Sequence, residues 1–423
     1  MNVKIILTGS LLAFCSCQQE PDVAAIEERA PSERRAPSSR SRSMEEAVEI
    51  AVNAAQTLDR SRDRSRAGGR TASVSDVKVI TDGESRSGEV DSLLYVVNFD
   101  NNEGFVLVPA PRIEKEVLAV VDEGSYDPSE GTDNPGFNLY LESANNYVRR
   151  RMGSGYEPPF ELTPAIIYKT VIDTIAEYGN FHRLGELAWG QQIPYNKYTP
   201  NGYTGCAPTA MAMIIAGIEY AQETLSYTFP ERDINSESVY WPSVKAHKRN
   251  SPMSLESNHI CYATDKDALH KTIARFMRQI GVVSKSTYAP MRTTTTKADC
   301  ESTLKYYLPD RAVTQWTNYK SDQVMGIIDW GFLLMHAKNS YGQEYFWIAE
   351  GYHFLKTDTR VLEYNPDNKT WHTVTRDIKI RSVTYFNWGW DGLHNGFYDG
   401  VVFEPYDGEN YSSPQYIGVS YIH

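Results

Sequence analysis

The chain has 423 residues, of which 41% are hydrophobic and 12% aromatic, enough to build a sizeable core in two or three domains. A net charge of −12 at pH 7 argues against nucleic acid as a partner. Five cysteines are too few for a disulfide scaffold. The sequence has no zinc-ligand spacing, phosphate-binding loop or dinucleotide fingerprint, so we expect no cofactor and no metal.

Residues 1–16 read as a targeting segment, with an early lysine and an apolar stretch too short to span a bilayer. The run Leu-Ala-Phe-Cys-Ser-Cys at residues 12–17 resembles a bacterial lipoprotein box. Cleavage before Cys17 would leave that thiol for a lipid anchor, as the sole membrane contact. The acidic residues 18–22 resemble a surface-export signal, which predicts a periplasmic or cell-surface lipoprotein on the outer membrane of a Gram-negative, Bacteroidetes-like bacterium. The alternative is an ordinary signal peptide.

Residues 17–43 are rich in Arg, Ser, Pro and Glu and predict a disordered tether. Ser43 and Glu46 then form a capping-box pattern that opens a helix to about residue 58. Further elements predict a small α+β domain over residues 44–150. They are strands at 77–80, 93–99, 105–110 and 117–122, a turn at 101–104, and a helix over 137–149.

Cys206 stands at the head of a predicted helix, where the positive end of the helix dipole favours thiolate over thiol. Pro208 suits a first-turn position because it lacks an N–H. Apolar residues then recur at helical spacing and predict one buried face; they are Met211, Ile214, Ile215 and Ile218. A nucleophilic thiol and a buried core cysteine both fit this placement.

Three sequence blocks surround this cysteine. They are Trp-Gly-Gln-Gln-Ile-Pro-Tyr-Asn at 189–196, Gly-Cys at 205–206, and Phe-Asn-Trp-Gly-Trp-Asp-Gly-Leu-His-Asn-Gly at 386–396. Together they resemble the streptopain-like family of secreted, papain-fold bacterial cysteine peptidases, whose blocks read W-x-Q-x-x-P-Y-N, G-C and F-N-W-G-W-G-G-x-x-N-G. The resemblance implies an α+β fold with a helical lobe and an antiparallel sheet lobe over residues 164–423, after a linker at 151–163. It also implies protein or peptide substrates.

A further family block, G-H-A-W-V-I-D-G-Y, aligns with residues 344–352, and its catalytic histidine position is Tyr345. A cysteine peptidase needs an imidazole to hold the thiolate and to protonate the leaving amine. A phenol of pKa ~10 cannot supply that base at neutral pH.

His336 is a candidate for a relocated base. Residues 331–337 read as a strand, a turn centres near 340–341, and the next strand begins at Tyr345. If residues 336 and 345 face each other across an antiparallel pair, their side chains share one face. The alternatives are a histidine on a half-buried strand, or a register difference of one residue that turns it away. His353 follows too far along the same strand to substitute.

The resemblance also implies roles for other residues. Gln191 would donate to the oxyanion together with the backbone N–H of Cys206. Asn387 would orient the histidine or, with Tyr345 in its place, would bond the phenol or satisfy backbone groups. Trp388 would shield the contact with the histidine. The N-terminal domain resembles the family's inhibitory prodomain, removed by cleavage near residues 149–156, although a permanent accessory domain is the alternative. Cys261 and Cys300 either pair or stay apart.

Two functions follow from these observations. The first is a secreted cysteine endopeptidase, made as a zymogen, that forms an acyl-enzyme on Cys206. The second is a catalytically impaired relative that binds a peptide or protein at the cell surface.

Overall fold

The structure is a computed structural model that describes residues 41–62, 73–82, 92–152, 168–181, 187–221, 266–290, 292–365, 368, 370–403 and 414–420. Within these ranges, none of the helices combines the length and the apolar character that a membrane crossing requires. The predicted leader, with Cys17, lies outside the described residues, and so does Cys261.

The helices are α1 (Met44–Arg62), α2 (Pro135–Met152), α3 (Cys206–Ala221), α4 (Lys266–Val283), α5 (Lys297–Tyr307) and α6 (Ser321–Ile328). The N-terminal strands are β1 (Val74–Thr81), β2 (Ser92–Phe99), β3 (Phe105–Pro109) and β4 (Ala119–Val121). The remaining strands are β5 (Tyr168–Phe181), β6 (Thr287–Ala289), β7 (Arg292–Thr294), β8 (Thr317–Asn318), β9 (Gly331–Lys338), β10 (Glu344–Asn365), β11 (Thr370–Asn387), β12 (Gly396–Tyr398) and β13 (Gln415–Ser420).

The N-terminal elements follow the predicted order, with two corrections. Ser43 caps α1 by accepting a hydrogen bond from the Glu46 N–H at 3.2 Å, but the helix runs to Arg62 rather than ending near residue 58. The end of the expected tether is ordered. Arg42 is buried, and its guanidinium donates to the carbonyls of Pro109 and Pro111 at 2.9 and 2.6 Å, because these carbonyls need donors at the end of β3.

One antiparallel sheet joins the N-terminal and C-terminal parts of the described chain, and β6 pairs with β7 in a separate two-stranded sheet. The strand order of the large sheet is β1-β2-β3-β4-β12-β11-β10-β9-β13-β8, and β5 pairs with the outer part of β10. The N-terminal strands join the rest where β4 pairs with β12, through Val121 and Gly396, Val120 and Phe397, and Ala119 and Tyr398. The two predicted domains therefore share a continuous hydrogen-bonded sheet.

The cores on the two faces of this sheet define the lobes. One cluster packs α3, α4 and α5 against β9, β10 and β13, and it forms the helical lobe. A second cluster combines α2 residues such as Phe137 and Tyr140 with Trp347 and Trp388 of the C-terminal part. Helices on an antiparallel sheet confirm the predicted α+β class.

The sequence did not predict the length of the central hairpin. Strands β10 and β11 pair from Ile348 and Asn387 outward to Asn365 and Thr370, and β5 lines the free side of β10. The outer part is half-exposed and carries polar side chains, including a pair in which the Arg376 guanidinium donates to the Asp358 carboxylate at 2.7 Å. Polar residues on both faces obscure the alternation that marks a strand.

Candidate active site

Cys206 is the first residue of α3, as the sequence predicts, and it is partly exposed. Gly205 before it has φ +93°, a conformation that favours glycine, and a β-carbon there would overlap the Thr293 side chain. The helix is anchored by its apolar face, where Met211, Ile214, Ile215 and Ile218 are each no more than 2% exposed. The fold therefore fixes the position of the thiol.

The protonation of this thiol differs from the sequence expectation. Burial raises the pKa of Cys206 to about 11, although backbone N–H groups of Phe346 and Ala207 favour the thiolate. The helix N-terminus was expected to favour the thiolate, but loss of hydration outweighs it in this setting. Cys206 is a neutral thiol at physiological pH.

Tyr345, which the sequence resemblance aligns with the family histidine, is buried in the core beneath α2. Its hydroxyl donates a hydrogen bond to the Trp388 carbonyl at 2.7 Å and accepts one from Nε2 of Gln191 at 3.2 Å. Burial holds the pKa of the Tyr345 phenol well above its usual range. The phenol is a neutral hydrogen-bonding group with no capacity to act as a base near neutral pH.

Gln191 lies beside the loop that leads into Cys206. Its backbone carbonyl accepts hydrogen bonds from the N–H and the hydroxyl of Thr204, at 3.1 and 3.2 Å, just before Gly205 and Cys206. Its side chain is 7% exposed, and its amide is directed to the Tyr345 hydroxyl. Gln191 therefore lies beside the loop that precedes Cys206, and its side-chain amide donates its hydrogen bond to the Tyr345 hydroxyl.

Asn387 satisfies backbone groups. Its amide nitrogen donates to the Leu187 carbonyl at 2.9 Å, and its oxygen accepts from the Gly389 N–H at 3.1 Å. The indole of Trp388 is buried, and its Nε1 donates to the His394 carbonyl at 3.0 Å. Of the roles considered from the sequence for Asn387, these contacts correspond to the satisfaction of backbone groups.

The expected register between His336 and Tyr345 is wrong by one residue. His336 pairs with Phe346, and Tyr345 pairs with Ala337. Because side chains alternate along a strand, His336 and Tyr345 point to opposite faces of the sheet. Among the described residues, no hydrogen bond joins Cys206 to a histidine.

His336 instead packs in an aromatic environment. Its ring centroid lies 4.6 Å from that of Phe346 and 6.1 Å from that of Trp316. Its Nε2 is buried without a hydrogen-bond partner in the described part of the chain. Burial lowers the pKa of His336 to about 4, so the imidazole is neutral at pH 7.

One residue near the site was missed by the sequence analysis. Asp391 has φ +55°, and a β-carbon on Gly190 would overlap its carboxyl group. Burial raises the pKa of Asp391 to about 7. The signal was present, because the family block has glycine where this chain has Asp391.

The N-terminal domain contacts this site directly. A β-carbon on Gly136, in the first turn of α2, would overlap the rings of Trp388 and Tyr345. Asn134 caps α2 by accepting from the Gly136 and Phe137 N–H groups, both at 3.1 Å, and its amide donates to the Leu393 carbonyl at 2.9 Å. The start of α2 therefore packs against the two residues that define the site.

Three further observations concern Cys300, the acidic and metal-ligating side chains, and the expected cleavage region. Cys300 is a free, buried thiol in α5. In the described ranges, no group of three His, Cys, Asp or Glu side chains is placed to hold a metal ion. The expected cleavage region begins inside α2, which runs to Met152, with Arg149 paired to Asp82 and Arg151 paired to Glu114.

Comparison with known proteins relates this geometry to a family. The profile of the peptidase C10 family matches residues 189–398. The thiol protease/hemagglutinin PrtT of Porphyromonas gingivalis is 23% identical over 321 residues, which cover 72% of this chain and 33% of PrtT. The chain thus spans about a third of that relative.

A solved structure of a prointerpain A fragment from Prevotella intermedia, a mutant with alanine in place of a cysteine, is 18% identical. The match covers 82% of this chain and 98% of that one, with a TM-score of 0.49. Both organisms belong to the Gram-negative Bacteroidetes. Residues 189–398 place this chain in the peptidase C10 family, the streptopain-like cysteine peptidases that its sequence blocks predicted.

Proposed function

We propose that this chain is a non-hydrolytic member of the cysteine peptidase family, which uses the cleft beside Cys206 to bind a peptide or protein segment. The observation that carries the proposal is the hydrogen bond from the Tyr345 hydroxyl to the Trp388 carbonyl, together with the one from Gln191 to that hydroxyl. Tyr345 and Gln191, the residues that align with the family's histidine and oxyanion donor, are thus hydrogen-bonded to each other.

The electrostatics of the thiol support the same conclusion. With a pKa of about 11, Cys206 would be roughly 0.01% thiolate at pH 7. Acyl transfer also needs a group that passes the proton to the leaving amine, and neither a neutral phenol nor the thiol does this near pH 7. Binding places no such demand on the site, because it requires shape and hydrogen-bonding groups alone.

The N-terminal domain fits a permanent role better than that of a removable prodomain. Strand β4 pairs with β12, so removal of the N-terminal domain would leave one edge of β12 unpaired. It would also expose the core that Phe137 shares with Trp388. Two salt bridges also join the N-terminal domain to the C-terminal part. Nζ of Lys379 lies 2.6 Å from Oε1 of Glu116, and Nζ of Lys115 lies 2.8 Å from Oδ2 of Asp399.

The sequence of the leader supports a cell-surface location for this binding function. We propose that Cys17 carries the lipid anchor and that the outer membrane is contacted through it alone. The ligand is a peptide or protein, and the net charge of −12 disfavours nucleic acid.

The test compares hydrolysis by the 423-residue chain with that by its Tyr345→His variant. We expect no cleavage of casein by the native chain and no covalent labelling of Cys206 by a peptidyl fluoromethyl ketone at pH 7. The Tyr345→His variant would restore an imidazole at the family position, so labelling of Cys206 is expected to rise at least tenfold. Tyr345→Phe is the matched control, because it frees Gln191 without adding a base.

The same experiment distinguishes the binding protein from the alternative, an active endopeptidase. In the sequence blocks, Cys206 and Gln191 align with the family's nucleophile and oxyanion donor, which an active enzyme of this family would require. Casein cleavage by the native chain that disappears in Cys206→Ala would overturn the binding proposal.

A further inference from the structure

Asp391 lies in the turn after β11, beside the segment that carries Gln191. Its carboxyl group lies over the α-carbon of Gly190, since a β-carbon there would overlap both carboxyl oxygens. Gly190 directly precedes Gln191, whose amide reaches the Tyr345 hydroxyl. The Trp388 carbonyl accepts the hydrogen bond that this hydroxyl donates, and Trp388 is three residues before Asp391 in the chain. The carboxyl therefore lies between two segments that carry residues of the site.

This carboxyl group has no counter-charge in the described part of the chain. Its Oδ1 is buried and has no hydrogen-bond partner among the described residues. Burial is also the sole cause of its raised pKa, with no neighbouring charge contributing. A half-buried carboxyl with one buried, unpartnered oxygen costs free energy, which a cation brought by a ligand would offset.

The fold does not need an aspartate at this position. The backbone of Asp391 has φ +55° and the next residue, Gly392, has φ +79°, so glycine would serve both positions without strain. The family block has glycine there. Aspartate tolerates the left-handed conformation, but it adds a buried charge without a described contact in return. A ligand is the partner that would account for it.

We propose that Asp391 binds the basic side chain, lysine or arginine, of a peptide held in the cleft beside Cys206. This inference rests on the proposed binding function and narrows its ligands to basic peptides. The carboxyl is charged when a cation is bound, because an ammonium or guanidinium group within hydrogen-bonding distance favours the carboxylate. The turn is open to solvent at Leu393, which is 39% exposed, and the net charge of −12 attracts cationic ligands.

The test measures binding of two series of capped alanine octapeptides to the 423-residue chain by isothermal titration calorimetry. One series carries a single lysine at each position in turn, and the other carries norleucine, which has a similar shape without the charge. We expect at least one lysine peptide to bind tenfold or more tightly than its norleucine counterpart. Asp391→Asn should remove this preference and leave the affinity for norleucine peptides unchanged, because asparagine keeps the size and the backbone conformation.

Two further variants make the result specific. Asp310→Asn removes an exposed carboxylate outside the site, and it should keep the full lysine preference. Gly190→Ala displaces the Asp391 carboxyl without removing its charge, and it should reduce the preference. A lysine preference that survives Asp391→Asn, or equal binding of both series, would overturn this inference and leave the binding function standing. Failure of every peptide to bind would contradict the binding function itself.

Discussion

Gly136 of α2 lies so close to the ring of Tyr345 that no β-carbon fits between them. Tyr345 stands at the position of the catalytic histidine, and Gly136 belongs to the N-terminal domain. The N-terminal domain is thus packed on the residue that distinguishes this chain from its family. The chemistry of the site and the attachment of the domain depend on the same side chain.

Gly136→Ala is expected to destabilise the chain by about 1–3 kcal/mol, because the new methyl group meets two rings in a packed core. Tyr345 and Trp388 are 4% and 0% exposed, so neither ring has space to move. Urea unfolding followed by tryptophan fluorescence measures the change as a shift in the midpoint.

Gly326→Ala provides the matched control. Gly326 is exposed within α6 and has no atom near the position of a β-carbon. Alanine there should stabilise the chain by about 0.5–1 kcal/mol, because it is the better helix former. Equal effects of the two substitutions would contradict the close contact between Gly136 and Tyr345.

The reactivity of Cys206 should follow its raised pKa. Because burial raises that pKa to about 11, the alkylation rate with iodoacetamide is expected to rise roughly tenfold per pH unit from pH 7 to pH 10. Mass spectrometry of the peptide that contains Cys206 separates it from Cys300. Tyr345→His should raise the rate at pH 7, since an adjacent imidazolium favours the thiolate.

The Cys206→Ala variant gives the background rate of alkylation at the other thiols. A native rate that levels off below pH 8 would indicate a thiolate already stabilised by a nearby cation. That result would contradict the neutral thiol and would favour the endopeptidase.

Much of this architecture follows from the sequence. The capped α1, the turn at residues 101–104 and the helix headed by Cys206 all depend on local signals, which act within a few residues. The family blocks associated Gln191 with Cys206, and the Gln191 carbonyl accepts a hydrogen bond from Thr204, a contact that helix and strand periodicity do not encode.

The errors have a common physical origin. The register between β9 and β10 depends on the geometry of their connection, and a change of one residue moved His336 to the other face. The protonation of Cys206 depends on how much of it is buried, which is a property of the assembled core. Asp391 was missed because its significance lies in its contact with Gly190, across the fold.

Acid should destabilise the chain through two buried histidines. Burial lowers the pKa of both His336 and His394 to about 4, below their unfolded value near 6.5. The unfolded chain therefore binds more protons than the folded one between these values, and stability falls as the pH drops from about 6.5 to 4. Each histidine should account for at most about 3 kcal/mol.

His394→Phe should remove the share of that loss that depends on pH, because phenylalanine has no titratable group. The φ of +65° at this position adds a cost that is the same at both pH values. The free energy of unfolding at pH 7 and pH 4.5, measured with urea, gives the difference. His372→Phe is the control for replacing a histidine by phenylalanine, since His372 is exposed on β11. Identical pH profiles for the native chain and His394→Phe would contradict the burial effect.

The N-terminal domain should stay attached after the chain is cut. A site for a specific protease inserted between residues 156 and 157 allows cleavage without attacking the helices. Because the strand pair of Val120 and Phe397 and a shared core join the two parts, we expect both fragments to co-elute on size exclusion at the mass of the uncut chain. Val120→Pro is the control, because proline removes a ladder hydrogen bond and is not tolerated in a central strand. Its uncut form should retain the native circular dichroism of the C-terminal part, and its fragments should separate. Separation of the native fragments would show that the domain is released as a prodomain is.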